Sequence, residues 1–171
     1  RPAKDQPEGT PYKIYTKEFD QLVRADDLPA KLVSISPDDS KGYLKRDQTE
    51  WDSAVSSAIT YFEDLETSIN AVRLGAGDLH DTAIVMLIDQ SGSMKGDPMA
   101  WTSAAIRHLA KVFEQAGATT EVIGFTTAGW KGGFARQKWA NNGSPRYPGR
   151  LCALLQIIYK SFDDQQLSSD A

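Results

Sequence analysis

The sequence has few cysteines and histidines and no long apolar run, and these shortages exclude several classes of protein. Cys152 is the single cysteine among 171 residues, so no disulfide can form within the chain, and we expect a cytoplasmic protein. No apolar segment approaches the roughly 20 residues of a membrane span. The 19 basic and 23 acidic residues give a net charge of −4 with no dominant basic patch, which argues against nucleic-acid binding.

The most informative stretch joins an apolar segment to a polar turn. The five apolar residues from Ile84 to Ile88 predict a strand buried on both faces, as in a parallel sheet. Open α/β sheets bind ligands at the carboxyl ends of such strands. Asp89, Ser91 and Ser93 follow directly, and their oxygens are the kind of ligand that Mg2+ prefers. We predict a divalent-metal site with a vacant position; the alternative is an ordinary polar loop that caps a helix.

A helix and a second strand are predicted after this turn. Asp97 and Pro98 are typical of a helix start, a spaced apolar face follows, and Gly117 is typical of a helix end. The run 121–125 then predicts a strand parallel to the first, because a crossover helix joins the two. The helix would bring its positive N-terminal end beside the turn, where it favours anionic ligands of a metal.

Helices are also predicted on both sides of this unit. Phe19, Leu22 and Val23 have helical spacing within 18–28, after a short strand at 12–16. Thr49 is predicted as an N-cap, and the apolar stripe behind it favours packing on its own domain, with a coiled coil as the alternative. A last helix is predicted over 150–162. The stripe comprises Trp51, Val55, Ala58, Phe62, Leu65 and Ile69, and the last helix carries Leu151, Leu154, Leu155, Ile158 and Phe162.

The segment 126–150 is rich in Gly, Trp and basic residues, and a connection of this length is usually functional or contains a small strand pair. Tryptophan among cations favours a partner-docking surface. The alternative is that Trp130 and Trp139 cover the sheet edge. The predicted docking residues are Trp130, Lys131, Arg136 and Arg150.

Several motifs follow the Asp-x-Ser-Gly-Ser-Met turn in order. They are Phe-Thr-Thr at 125–127, Trp-Lys-Gly-Gly at 130–133, Pro-Gly-Arg-Leu at 148–151 and Ile-Ile-Tyr-Lys-Ser at 157–161. In these motifs the sequence resembles the C-terminal region of the CobT subunit of aerobic cobaltochelatase, a von Willebrand factor A-like domain. The stretch 12–28, with Tyr-x-x-Tyr-Thr and Ala-Asp-Asp-Leu, resembles the segment that precedes that domain.

The resemblance implies an α/β fold with a doubly wound, mostly parallel sheet and a metal-ion-dependent adhesion site formed by Asp89, Ser91 and Ser93. It also implies a CobS-like AAA+ ATPase partner, a large CobN-like chelatase subunit and assembly into a ring. ATP would act only through the ATPase partner. We divide the chain into a flexible arm at 1–11, a mostly helical N-terminal extension at 12–77 and a partial von Willebrand factor A-like domain at 78–171.

Two features depart from the family pattern. A domains usually supply a Thr ligand from a second loop, but no Thr stands near Gly149, Arg150 or Leu151. The third metal loop, an Asp after a later strand, has no counterpart. We therefore expect the sheet to be incomplete at its C-terminal side and the strand at 84–88 to lack neighbours on one side. Either the chain is truncated or another chain completes the sheet.

Three functions compete at this stage. The first is a non-catalytic subunit of a cobaltochelatase-like complex, whose metal accepts a partner carboxylate and couples the ATPase to the chelatase. The second is a stand-alone metal-dependent binding module with no chelatase role. The third is a hydrolase, which is disfavoured because His80 and His108 lie away from the turn and are expected to be a loop residue and a helix residue. The turn also lacks the Gly-Lys-Ser/Thr ending of a phosphate loop, and Cys152 is expected to be buried by packing.

Overall fold

The computed structural model describes residues 11–28, 49, 51–62 and 79–168, with the backbone alone at residue 130. Short 3-10 turns occur at Ala25–Asp27, Gly92–Met94 and Trp130–Gly132. The strands are β1 (Gln21–Arg24), β2 (Ala83–Asp89), β3 (Thr119–Thr127) and β4 (Leu154–Lys160), and the helices are α1 (51–62), α2 (Asp97–Gln115) and α3 (Gly133–Asn141).

The predicted strand–helix–strand unit is confirmed. Strand β2 pairs in parallel with β3, in a register that runs from Ala83 opposite Thr119 to Asp89 opposite Phe125. Helix α2 connects them, with Pro98 in its first turn, where the missing N–H of proline costs nothing. Gly117 follows the helix with a φ of +95°, the left-handed conformation that glycine adopts most readily. These local signals fix the unit that carries the polar turn.

The four strands form one sheet in the order β1-β4-β3-β2. The β1–β4 and β2–β3 pairs are parallel and the β3–β4 pair is antiparallel, so the predicted α/β class with a mostly parallel sheet is confirmed. Among the described strands, β2 is paired on one side only, as predicted for the strand at 84–88.

One face of the sheet is buried beneath α2, and the opposite face is exposed along β2 and half-buried along β3. Met86 and Ile88 of β2 pack with Val122 of β3 and with α2, each burying enough apolar surface to contribute about 1.5–3 kcal/mol. On the opposite face, residues Val85 and Leu87 remain 53% and 64% exposed. The prediction that this strand is buried on both faces is therefore wrong for the described part of the structure.

The predicted helix at 150–162 is wrong, because residues 154–160 form strand β4. The apolar residues of this segment fit both the helical period of about 3.6 residues and the strand period of about two residues. Leu155, Ile157 and Tyr159 alternate with residues of the other face and are all buried against the core. Pairing with β3, in which Ile157 lies opposite Gly124, selects the strand because it satisfies the backbone and buries these three side chains together.

The predicted helix at 18–28 is also wrong. Residues 21–24 form β1, which pairs in parallel with β4 from Gln21 opposite Leu155 onward. Val23 is buried in the core while Leu22 is 62% exposed, so the pattern is that of a strand with one covered face. The short strand predicted at 12–16 is reduced to a single bridge between Ile14 and Arg150. The proposed domain boundary at residue 77 lies outside the described residues.

The helix predicted from Thr49 onward is confirmed over 51–62, although Thr49 itself already has helical backbone. Its Phe62 ring lies 6.2 Å from the ring of Trp101 and stacks at 6.0 Å on His108, both in α2. Ala58 is completely buried. These contacts favour packing on its own domain over a coiled coil, and they confirm His108 as a helix residue. Leu65 and Ile69 lie outside the described residues.

The connection from β3 to β4 contains helix α3 rather than a strand pair in the described structure. Glycines surround its beginning, and Gly132 has a φ of +97° at the N-cap. The half-buried Trp139 lies within α3, and its indole N–H donates to the carbonyl of Pro145 at 3.0 Å. This hydrogen bond holds the loop that follows the helix.

Candidate metal site and docking surface

The three predicted metal ligands lie together at the carboxyl end of β2. Asp89 is the last residue of the strand, and its Oδ1 accepts a hydrogen bond from the backbone N–H of Ser91 at 2.8 Å. The hydroxyls of Ser91 and Ser93 are hydrogen-bonded to each other, with their Oγ atoms 3.1 Å apart. A hydrogen bond of 2.9 Å from Met94 N to Ser91 O begins the 3-10 turn that holds both serines on one side. The local turn, rather than distant residues, gathers the oxygens.

The spacing of the two serine hydroxyls is compatible with a hard divalent cation as well as with their mutual hydrogen bond. Two adjacent ligands of an octahedral Mg2+ with bonds of about 2.1 Å stand about 3.0 Å apart, close to the separation of the two serine hydroxyls. Asp89 and Ser93 are exposed and Ser91 is half-buried, so solvent or another molecule reaches the site. In the described part of the chain, no group of three or more His, Cys, Asp or Glu side chains could hold a metal. The donor set is therefore one carboxylate and two neutral hydroxyls.

Two of the predicted docking residues are exposed cations in the β3–β4 connection. Lys131 lies in the 3-10 turn with a φ of +53°, and Arg136 lies on α3. The neighbouring Lys138 is instead paired with Glu18. The backbone of Trp130 is in the same turn, but its side chain lies outside what the structure describes. This turn follows β3, whose carboxyl end lies beside that of β2 because the two strands are parallel.

Arg150, the fourth predicted docking residue, lies in a different environment. Its side chain is only 10% exposed and pairs with Asp20 at 2.5 Å. Its Nη1 also donates to the carbonyl of Cys152 at 2.5 Å. Hydrogen bonding from Arg150 lowers the pKa of Asp20 and raises that of Arg150 itself. The guanidinium thus joins the segment before β1 to the segment before β4.

A family model described as the cobalamin biosynthesis protein CobT VWA domain matches residues 76–169. The chain belongs to this CobT family. The predicted resemblance is confirmed, and the sheet with its helices is a partial von Willebrand factor A fold. Membership places the chain in cobalamin biosynthesis and suggests the context of a cobaltochelatase complex. No solved structure matches the chain.

Within this CobT fold, the two histidines and the cysteine belong to elements other than the turn. His80 lies in the turn before β2, as predicted, and its ring lies against Gly117. Cys152 is half-buried beside the Asp20–Arg150 pair. None of the helices in the described ranges combines the length and apolarity needed to cross a membrane.

The Asp20–Arg150 pair was missed by sequence reasoning. The two residues are 130 positions apart, and each stood in a segment that was expected to be helical. The available signal was the glycine of the motif Pro-Gly-Arg-Leu at 148–151, because glycine permits a close approach of two backbones. Here the N–H of Arg150 donates to the carbonyl of Lys13 at 2.8 Å.

Proposed function

We propose that this chain is a non-catalytic subunit of an ATP-dependent cobaltochelatase-like complex and that it engages its partners through a metal-ion-dependent adhesion site. The supporting observation is the convergence of Asp89, Ser91 and Ser93 at an exposed edge of the sheet. The partners are an AAA+ ATPase subunit and a large chelatase subunit in the cytoplasm. ATP is hydrolysed by the ATPase partner.

The chemistry of the donor set favours a bridge to a partner. When bound, Mg2+ would supply a positive centre with open coordination positions. Asp89 supplies a single negative charge, and the serine hydroxyls supply none, so positive charge would remain. A carboxylate from another chain would neutralise it and complete the coordination. The N–H of Ser91 holds the Asp89 carboxylate in place for this role.

The exposed cations of the β3–β4 connection support an acidic partner. Lys131 and Arg136 form no ion pair within the described residues, and both are exposed. The field of such cations steers an acidic surface toward the same side of the sheet and is screened by salt. We therefore propose that partner binding weakens as ionic strength rises, and that Lys131 and Arg136 contribute chiefly to the rate of association.

The test is capture of the AAA+ partner from a purified mixture, with and without EDTA. Asp89→Ala removes the carboxylate ligand, and Asp163→Ala serves as the matched control because Asp163 is exposed and distant in sequence from the turn. We expect capture to be lost with EDTA and with Asp89→Ala and kept with Asp163→Ala. Capture that ignores both treatments contradicts the metal bridge.

The ATPase rate of the partner separates this proposal from the stand-alone binding module. A subunit that couples the AAA+ ATPase to the chelatase subunit should change the rate of ATP hydrolysis when it binds. Asp89→Ala should abolish that change. Metal-dependent binding that leaves turnover unaltered would favour the module with no chelatase role.

A further inference from the structure

Gln90, the residue directly after the proposed metal ligand Asp89, is fixed at both its backbone and its side chain. Its N–H donates to the carbonyl of Phe125 at 2.8 Å, which extends the pairing of β2 and β3 by one residue. Its Nε2 lies 2.5 Å from the hydroxyl of Tyr159, two strands away in β4. The side chain therefore crosses β3 to reach its partner.

The crossing is possible because residue 124 of β3 is glycine. A Cβ built on Gly124 would overlap Oε1 of Gln90 and lie 2.6 Å from its Cδ. The same Cβ would lie 2.9 Å from Cε2 of Tyr159. Any larger residue at this position would displace the Gln90 amide or the Tyr159 ring. Gly124, Gln90 and Tyr159 thus form one packed unit on the face covered by α2.

Burying the amide of Gln90 at this position costs free energy. Its Oε1 is buried and has no hydrogen-bond partner within the described structure. Leaving a buried polar atom unpaired costs about 1–3 kcal/mol, whereas an apolar side chain of similar length would avoid that cost. Stability alone does not account for a glutamine here, and the hydrogen bond to Tyr159 gives it a specific orientation.

We propose that the Gln90–Tyr159 hydrogen bond, which we call the latch, positions Asp89 to hold the cation. Successive residues of a strand point to opposite faces, so anchoring Gln90 on the covered face keeps the Asp89 carboxylate on the open face. There its Oδ1 accepts the backbone N–H of Ser91, whose hydroxyl is hydrogen-bonded to that of Ser93. Gln90 and Tyr159 are positioning residues, and this inference depends on the proposed metal site.

The test uses Gln90→Met, which keeps length and removes the amide, and Tyr159→Phe, which removes only the hydroxyl. Gln156→Met is the matched control, since Gln156 is exposed in the same strand as Tyr159. Mg2+ affinity is measured by calorimetry on each folded protein. We expect Kd to rise about tenfold or more in both variants, as for other residues that orient metal ligands, and to be unchanged in the control.

The double variant tests whether the two residues act as one unit. Because either single change breaks the same hydrogen bond, the double variant should bind Mg2+ no more weakly than the weaker single variant. If the increases in Kd of the two single variants multiply in the double variant, Gln90 and Tyr159 act independently and the latch is overturned. Affinities equal to that of the parent in folded single variants would also overturn it.

A measurement without metal separates failure of the latch from failure of the proposed function. In EDTA, the amide protons of Ser91 and Met94 should exchange faster in Gln90→Met and Tyr159→Phe than in the parent or Gln156→Met. Unchanged exchange overturns the latch. A parent that binds neither Mg2+ nor Mn2+ overturns the metal function and the positioning role toward the ion, whatever the exchange rates are.

Discussion

Arg150 and Asp20 form a two-pronged ion pair between segments that are 130 residues apart. Nη1 of Arg150 lies 2.9 Å from Oδ1 of Asp20, and Nη2 lies 2.5 Å from Oδ2. The backbone N–H of Leu154 donates to the same carboxylate at 2.9 Å. Asp20 stands directly before β1 and Leu154 begins β4, so this one carboxylate sets where the two strands begin to pair.

Asp20→Asn should destabilise the protein by about 2 kcal/mol, because it leaves the largely buried Arg150 without its counter-charge. The measurement is urea unfolding followed by circular dichroism. Glu18→Gln is the matched control, since Glu18 pairs with Lys138 on the surface, where both side chains remain exposed to water. The stability lost in Glu18→Gln should be much smaller. Equal losses for the two variants would contradict a structural role for the Asp20–Arg150 pair.

Acid should weaken the fold between about pH 4 and pH 2. The pKa of Asp164 is lowered from 3.8 to about 2, first by the backbone N–H of Ser161 and then by Arg24, and the pKa of Asp20 is also lowered. Carboxyls with a lower pKa in the folded state bind protons more tightly when unfolded, so their stabilisation is complete above the unfolded pKa and lost as pH falls through the folded one.

The pH dependence is measured as the urea midpoint at intervals between pH 6 and pH 2. Asp164→Asn and Asp20→Asn should each flatten the acid limb of this curve, because an amide cannot take up the proton. The acid limb of the double variant should be flatter than that of either single variant. Curves that keep the slope of the parent after both substitutions would show that other carboxyls control acid unfolding.

Gly149→Ala should destabilise the protein far more than Gly143→Ala. Both glycines have a φ of +78°, so alanine suffers the same backbone strain of about 1–2 kcal/mol at each. A Cβ on Gly143 meets nothing, whereas one on Gly149 would lie 2.5 Å from the carbonyl carbon of Lys13. The extra cost should be about 2 kcal/mol. Thermal unfolding of the two variants measures this extra cost, and equal melting temperatures would refute the close contact at Gly149.

Leu87 and Ile88 are neighbours in β2 whose substitution by Thr should change stability to very different extents. Leu87 is 64% exposed and Ile88 is 6% exposed. Leu87→Thr should change stability by at most about 0.5 kcal/mol and reduce self-association of the open sheet face. Ile88→Thr should cost about 3 kcal/mol. Light scattering and urea unfolding provide the two readouts; a large stability loss for Leu87→Thr would mean that this face is covered.

Elements held by short-range interactions could be predicted from the sequence, and elements held by long-range pairing could not. The turn from Asp89 to Ser93 was predictable because its hydrogen bonds join residues two or three apart. The helix from Asp97 was predictable because Pro98 and Gly117 mark its ends. The segment 150–162 was not predictable, because its apolar residues fit a helix and a strand alike and only the pairing with β3 distinguishes them.

The sequence by itself determined the polar turn, the strand–helix–strand unit around it and, through the motifs at 130–133 and 148–151, the family. Each depends on short-range backbone preferences or on a continuous pattern of side chains. The tertiary structure decided that 21–24 and 154–160 are strands, that Arg150 pairs with Asp20, and that Gln90 reaches Tyr159 across Gly124. Those outcomes depend on which distant backbones meet, and a side chain's partner is fixed only once the sheet has brought them together.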